Sequence, residues 1–408
     1  MKNSEILLDA VGDISEELIP ELSEKKKNHK ILRTAFVSVG VCAAVVACAV
    51  FLPKIIIKEN LHNTQTFEWE KKTGSENINP KISTGGTMGF EGMMAYDISE
   101  LENGNPWTED TEITELPVFR NLSYTGDAYD GFVVYLTEEQ MKNIAKKTAE
   151  SINTEITEIT VNRVKDSTER IYPNEIMNGV YSLEAKCSSD VYCIFVEGDG
   201  TVGIWYNDEG IKLPDKYSFT YENTTEPQAK TTLDYLSKKY NSLLGYDNPV
   251  SFTFADRTYG GTATRSFYVY NGTGDITQDI LNYSLSYAEF APNDDGCLGV
   301  IWIYNHYSSC EYIGDYPIIS KDDAQKLLLD GHYYSSVSND YLKEDKISEN
   351  DIAKVELIYS HNGEEYCQPY YKFYVELNNA DFNMAENLRN FGVFYVPAVD
   401  RKYLSDNN

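Results

Sequence analysis

The hydrophobic residues of this chain fall into one long uncharged run near the N-terminus, followed by many short alternating runs. The long run spans residues 34–52 and contains no charged residue over nineteen positions. A helix of this length nearly crosses a hydrocarbon core of about 30 Å, because each residue adds about 1.5 Å. The pattern predicts a single transmembrane helix over residues 34–57.

Basic residues lie mainly before this run. The nearest after it are Lys54 and Lys58, and five lie shortly before it: Lys25, Lys26, Lys27, Lys30 and Arg33. The positive-inside rule therefore predicts a cytoplasmic N-terminus and an extracellular C-terminal domain in the cell membrane. A cleaved signal peptide and a lipoprotein anchored at Cys48 are the alternatives, and both also leave the large domain outside.

Residues 1–33 form a predicted cytoplasmic leader with apolar residues at helical spacing. These include Leu7, Val11, Ile14, Leu18 and Ile19. One interpretation is an amphipathic segment that binds a cytoplasmic protein through these five residues. The other is a leader that only sets the topology of the membrane protein.

The next region, residues 58–115, is rich in Glu, Asn, Thr and Gly and predicts a flexible stalk. It contains an apolar patch at residues 88–97. Either the patch docks on the folded domain as a tether, or it is an exposed partner site. We favour docking, because exposed apolar patches are uncommon.

From residue 116 the pattern is globular and predicts an α+β fold, with antiparallel sheets and a few packed helices. Two regions are expected, 116–310 and 311–408. Helices are predicted after the capping residues Thr137 and Ser320 and over residues 228–244. Strands are predicted at 155–164, 181–196, 201–206, 217–221, 251–254, 266–270, 282–287, 298–304, 352–359 and 366–377.

Part of this pattern is similar to known families. The helix capped by Ser320, with Ala324 at its centre and a hairpin over residues 352–377, resembles PepSY-like domains, and residues 394–399 resemble the tail of YycH/YycI-type regulators of Firmicutes. The leader, before its basic cluster and single membrane helix, resembles Firmicutes membrane proteins that act as anti-sigma regulators. The leader lacks the zinc motif of many anti-sigma factors, since it holds His29 but no Cys. The resemblance implies signal transduction across the membrane through protein contacts.

The net charge of the chain limits the kinds of partner that it can bind. With 64 acidic and 35 basic residues, the formal net charge is −29. Such a field repels phosphate backbones, so nucleic acid is excluded as a partner and cations or basic partners are favoured. The 32 Tyr and 16 Phe residues favour folded, strand-rich structure.

The sequence predicts no catalytic residue, cofactor or metal site. Residues 198–203 match the dinucleotide fingerprint by letter, but a strand follows where that fingerprint requires a helix, so they predict a hairpin turn. His306, His332 and His361 lie too far apart to indicate a metal site. Paired carboxylates leave an anchored hydrolase as an alternative, because only geometry identifies such a pair.

Cysteines and tyrosines leave two questions open. Cys187 and Cys193 flank a short turn and are either a disulfide or free thiols. A tyrosine cluster in the last hairpin is either a stacking surface for an outer ligand or simply the cover of a sheet. Its members are Tyr366, Tyr370, Tyr371 and Tyr374.

The predicted function is that of a non-enzymatic, membrane-anchored regulator or sensor. Its outer domain is expected to contact an envelope protein or cell-wall component, and its leader a cytoplasmic partner such as a sigma factor. The alternatives are a cell-surface binding module for glycan or peptide and, less favoured, the anchored hydrolase.

Overall fold

The computed structural model describes residues 71–78, 91–122, 124, 136–163, 180–188, 190–360, 364–378 and 383–405. All of them belong to the compact unit Ile56–Asn408. The predicted leader and transmembrane helix lie outside the described residues. Within those ranges, no helix is both long and apolar enough to span a membrane.

Five α-helices are described. They are α1 (Glu138–Ser151), α2 (Glu226–Lys239), α3 (Asn241–Leu244), α4 (Ile276–Leu285) and α5 (Lys321–Leu329). The two predicted caps are confirmed: the Thr137 and Ser320 hydroxyls accept hydrogen bonds from the backbone N–H groups of Gln140 and Asp323. The helix predicted over 228–244 is divided at Tyr240, which ends α2 and begins α3.

Fourteen strands accompany the helices in the described ranges. They are β1 (Gly92–Ala95), β2 (Glu115–Asn121), β3 (Ile156–Arg163), β4 (Val180–Cys187), β5 (Val191–Glu197), β6 (Val202–Tyr206), β7 (Pro249–Arg257), β8 (Ala263–Asn271), β9 (Tyr287–Pro292), β10 (Leu298–Ile303), β11 (Cys310–Pro317), β12 (Ile352–Ser360), β13 (Tyr366–Glu376) and β14 (Arg389–Pro397). The strand pairs are antiparallel. The predicted α+β class with antiparallel sheets is confirmed.

The larger sheet has eight strands in the order β3-β4-β5-β6-β10-β9-β8-β7. One of its faces is covered by α1, α2 and α3. Residues such as Ile194, Ile204 and Ile301 point into this core, where they meet Leu233 and Leu236 of α2. Because side chains alternate between the faces of a strand, the neighbours of these isoleucines point to the opposite face.

The second sheet has the order β1-β14-β13-β2-β11, with β12 on the other side of β13. Thus β2, from the region predicted as 116–310, pairs with strands of the region 311–408. Helices α4 and α5 contribute Leu281 and Leu328 to a core with Phe373 and Phe394. On α4, Tyr283 also packs against Phe252 of the larger sheet, with 4.7 Å between ring centroids.

Two strand predictions are wrong. Residues 282–287 were expected to be a strand, but most of them belong to α4, which begins where the Asp275 carboxylate accepts a hydrogen bond from the N–H of Gln278. Leu281 and Leu285, four residues apart, then lie on one buried helical face. Residues 217–221 form turns and loop instead of a strand, because Phe219 inserts into the larger sheet's core against Phe267.

Segments from the region predicted as a stalk pack against the second sheet. Strand β1 pairs with β14, so the docking interpretation of the apolar patch holds for residues 92–95. Residues 71–78 lie along β11, where the N–H of Gly74 donates to Asp315 O and the N–H of Asp315 donates to Lys72 O. Ile78 is fully buried and bridges Leu404 in parallel.

Candidate functional site

The four tyrosines predicted as a possible outer surface are buried. Tyr366, Tyr370, Tyr371 and Tyr374 are 7%, 0%, 3% and 0% exposed, so they do not form a surface for an outer ligand. The physical reason is the position of β13 inside the sheet, between β12 and β14, with packed residues on both faces. The other interpretation, that these tyrosines cover the sheet, describes them correctly.

Their hydroxyl groups cross-link the interior. Tyr370 donates to the Glu364 carboxylate at 2.9 Å, Tyr374 to the Glu356 carboxylate at 3.1 Å, and Tyr371 to Ile319 O at 2.9 Å. Glu356 also forms an ion pair with Lys354. Buried polar groups that are paired in this way stabilise one arrangement of the core. The tyrosines of β13 therefore have a structural role.

The outward face of the larger sheet presents a different set of aromatic side chains. These side chains form a stripe across five adjacent strands, from β5 to β8, with a width of about 19 Å at the usual strand spacing. Its members are Phe195, Trp205, Trp302, Tyr304, Tyr287 and Tyr268, and neighbouring ring centroids lie 4.7 to 6.4 Å apart.

Trp302 forms a flat floor at the centre of this stripe. A Cβ atom placed on Gly203 of β6 would lie 2.6 Å from Cζ3 of the indole and 3.0 Å from each of that atom's two ring neighbours. Those distances place the Cβ position above the ring plane, so the indole lies face-down on the glycine. Its other face points away from the sheet. Gly203 is required here because any side chain would occupy the position of the ring.

Trp205 stands upright beside this floor. The two indole planes make an angle of 84°, with 6.0 Å between centroids, and Trp205 is 40% exposed. On the other side of Trp302, the Tyr304 ring lies nearly parallel to the floor, at 25° and 6.4 Å. Trp205, Trp302 and Tyr304 together are called the aromatic corner below. Its rings offer a large, rigid contact area of the kind enriched in binding surfaces.

A carboxylate adjoins the aromatic corner. Glu289 of β9 lies directly opposite Trp302 on β10, and the Tyr304 hydroxyl donates to it at 3.2 Å. Burial raises the pKa of Glu289, while hydrogen bonds from Tyr304 and Tyr268 act in the opposite direction. Glu289 as a residue is partly exposed.

His306 lies next to Tyr304 at one end of the aromatic corner. Its ring lies 5.9 Å from the Tyr304 ring and nearly parallel to it, and its Nδ1 is 3.7 Å from the Asp199 carboxylate. Burial lowers the pKa of His306 to about 4, so the imidazole is neutral at physiological pH. Among the described residues no group of His, Cys, Asp and Glu has a geometry that would hold a metal ion.

The remaining residues singled out in the sequence are not part of the aromatic corner, or lie outside the described residues. Cys187 and Cys193 are free thiols, and burial raises the pKa of Cys193 to about 12. Residues 198–201 connect β5 and β6, and 202–203 begin β6, so this segment is a hairpin turn followed by a strand, as predicted. A separate cleft of about 630 Å³ is lined by His332, Tyr333, Tyr334 and Arg401. The five leader residues Leu7, Val11, Ile14, Leu18 and Ile19 and also His361 lie outside the described residues.

Sequence reasoning missed the aromatic corner. One signal was present: the stretch from Leu298 to Tyr304 alternates isoleucines with Val300, Trp302 and Tyr304, so both faces of β10 carry apolar side chains. A strand of this kind needs cover on both faces or exposes one of them for binding.

No protein-family model matches the chain. No curated protein matches it either. Among solved structures, it is similar to an uncharacterized protein from Eubacterium rectale ATCC 33656, with 10% sequence identity and a TM-score of 0.36, over 70% of this chain and 84% of that chain. A similarity at this level supports no argument about the site or its ligand.

Proposed function

We propose that this chain is a non-enzymatic binding protein, anchored in the cell membrane, whose outer domain holds an envelope glycan or peptide on the aromatic corner. The observation that carries this proposal is the face-down position of Trp302 over Gly203, which turns the other face of the indole outward. Trp205 is exposed, and Trp302 and Tyr304 are partly exposed. The exposed parts of aromatic rings add little to a core, whereas they supply contact area to a ligand.

The location of the protein is part of the same proposal. Residues 34–57 cross the membrane as one helix, the leader lies in the cytoplasm, and the aromatic corner faces the envelope. The basic residues before the uncharged run support this orientation. The free thiols of the outer domain are compatible with it because most of them are buried.

Replacing the two indoles tests the binding function. Full-length protein in phosphatidylglycerol nanodiscs is sedimented with purified Gram-positive cell-wall sacculi, and the bound fraction is measured against sacculus concentration. We expect Trp302→Ala and Trp205→Ala each to weaken binding at least about tenfold, since central aromatic anchors commonly contribute 2 kcal/mol or more.

The matched control is Tyr259→Ala, because Tyr259 is 46% exposed but lies in the turn after β7, away from the aromatic corner. It should bind as the wild type does. Equal thermal midpoints would show that all variants fold. Wild-type protein that stays in the supernatant, or indole variants that sediment normally, would contradict the proposal.

A second function for the whole chain follows from the leader. Its five apolar residues at helical spacing favour a regulator that reports the state of the outer domain to a cytoplasmic protein, such as a sigma factor. This role adds to the outer binding function, since a sensor also needs a ligand site.

The regulator role predicts a specific capture from membranes. Full-length protein should retain one cytoplasmic protein, and the double variant Leu18→Asp, Ile19→Asp should lose it because two charges would replace the apolar contacts. Changing Glu16 and Glu17 to Gln is the control and should preserve capture. If the double variant captures the same protein as the wild type, the leader only sets topology.

A further inference from the structure

Charged side chains on the outward face of the larger sheet are mostly acidic. The strand register places Glu184 beside Phe195 and Glu289 beside Trp302, and Glu197 follows Phe195 on the same face. Lys186 is the basic residue among the described outward positions of β4, β5, β6, β9 and β10, and its ammonium group already pairs with Glu158 at 2.9 Å. This face therefore attracts positive charge, in keeping with the net charge of −29.

The aromatic corner has the features that bind a cation. An ammonium group is attracted to the negative face of an aromatic ring when it lies within about 6 Å of the ring centroid. The outward face of Trp302 and the upright Trp205 have centroids 6.0 Å apart, so one cation can lie near both rings. Glu289 lies opposite Trp302 on the next strand and accepts a hydrogen bond from Tyr304 of the corner, so it adds a carboxylate to this part of the face.

We propose that the aromatic corner binds an organic ammonium group carried by the envelope ligand, with Trp302 beneath it, Trp205 beside it and Glu289 as its counter-charge. This inference rests on the proposed binding function and names the chemical group recognised. A polyanion is excluded because three carboxylates on this face would repel it. A neutral sugar would stack on Trp302 and donate a hydroxyl hydrogen bond to Glu289, but only an ammonium group would also bring the opposite charge.

The combination of aromatic rings with a carboxylate distinguishes an ammonium ligand from a neutral sugar. Neutral-sugar recognition needs both donors and acceptors around the ring. Here the Tyr304 hydroxyl donates to Glu289, so its proton is already used and the carboxylate is the acceptor of the pair. A protonated amine can donate to this acceptor, and a protonated or a quaternary amine is attracted both to its negative charge and to the two aromatic rings.

Two isosteric probes test the inference. Full-length protein in phosphatidylglycerol nanodiscs, which contain no ammonium lipid, is titrated calorimetrically with choline and with 3,3-dimethylbutan-1-ol, its uncharged isostere. We expect choline to bind at least tenfold more tightly. Glu289→Gln should weaken choline binding about tenfold and leave the alcohol unchanged, whereas Trp302→Ala should weaken both.

Further measurements separate failure of the inference from failure of the proposed function. Glutamine at position 289 keeps an acceptor for Tyr304, and an unchanged thermal midpoint would show that the variant folds. Equal affinity for the two probes, or no effect of Glu289→Gln, would overturn the ammonium inference. If an uncharged N-acetylglucosamine tetramer bound through Trp302 instead, the corner would be a neutral-sugar site and the proposed function would stand. If sacculus binding were also independent of Trp302, both would fail.

Discussion

Replacing Glu364 with glutamine is expected to stabilise the protein at pH 8 and to flatten its stability between about pH 5 and pH 8. Glu364 is 1% exposed, and its carboxylate accepts a hydrogen bond from Tyr370. Burial raises its pKa from 4.5 to about 8, because the charged form loses its hydration.

The direction of the pH dependence follows from this shift. The folded protein holds the proton of Glu364 more tightly than the unfolded chain does, so the stabilising contribution is complete below about pH 4.5 and is lost as the pH rises to about 8. The full difference is on the order of 4 kcal/mol in the free energy of unfolding. Glutamine carries no proton to lose, so the variant should lack this fall.

The measurement is urea unfolding of wild type and variant at pH 5, 6, 7 and 8. Glu365→Gln is the matched control. It removes the charge of the neighbouring residue, whose side chain is only half-buried. The control should show the wild-type fall in stability. A Glu364→Gln variant whose stability falls with pH as steeply as the wild type would show that Glu364 is not the responsible group.

The second large effect concerns the contact between Gly314 and Gly74. A Cβ atom on Gly314 would lie 2.6 Å from Cα of Gly74. Backbone cannot rotate away as a side chain can, so Gly314→Ala must displace residues 71–78 from β11. We expect a loss of about 1 to 3 kcal/mol in stability, typical of overpacking.

Limited trypsin digestion detects the displacement directly. In the wild type, Lys72 O accepts the N–H of Asp315, which holds the backbone of Lys71 and Lys72 against the sheet. Cleavage after these lysines should become several-fold faster in Gly314→Ala. Gly260→Ala is the control because a Cβ there meets only one atom, at 3.8 Å. Unchanged cleavage in Gly314→Ala would show that the segment tolerates the added methyl group.

The predictable parts of this fold are local. The caps at Thr137 and Ser320 were predicted because the capping residue and its partner lie three positions apart. The error at residues 282–287 has a local cause as well. There, Tyr283, Leu285 and Tyr287 alternate with polar residues as in a strand. The helix forms instead because it buries Leu281 and Leu285 in the core of the second sheet.

The aromatic corner was beyond local reasoning. Trp205 and Trp302 become neighbours only because β6 pairs with β10, almost a hundred residues later in the chain. Likewise, Tyr370 and Tyr374 were considered for an outer surface because their alternation shows which residues share a face, but not what covers that face. The order of strands in the sheets determines both the proximity of the two indoles and the burial of the tyrosines. That order cannot be derived from the local pattern of a single sequence.

The docking of residues 71–78 also determines how the domain would respond to mechanical tension. A pull on the chain ahead of Lys71 would act along the segment, whereas its hydrogen bonds to Asp315 run across it. These bonds, and those linking Ile78 to Tyr403 and Ser405, would be loaded in shear and would have to break together. Residues 71–78 thus act as a mechanical clamp, and tension on the chain ahead of Lys71 would reach the second sheet before it reached the aromatic corner.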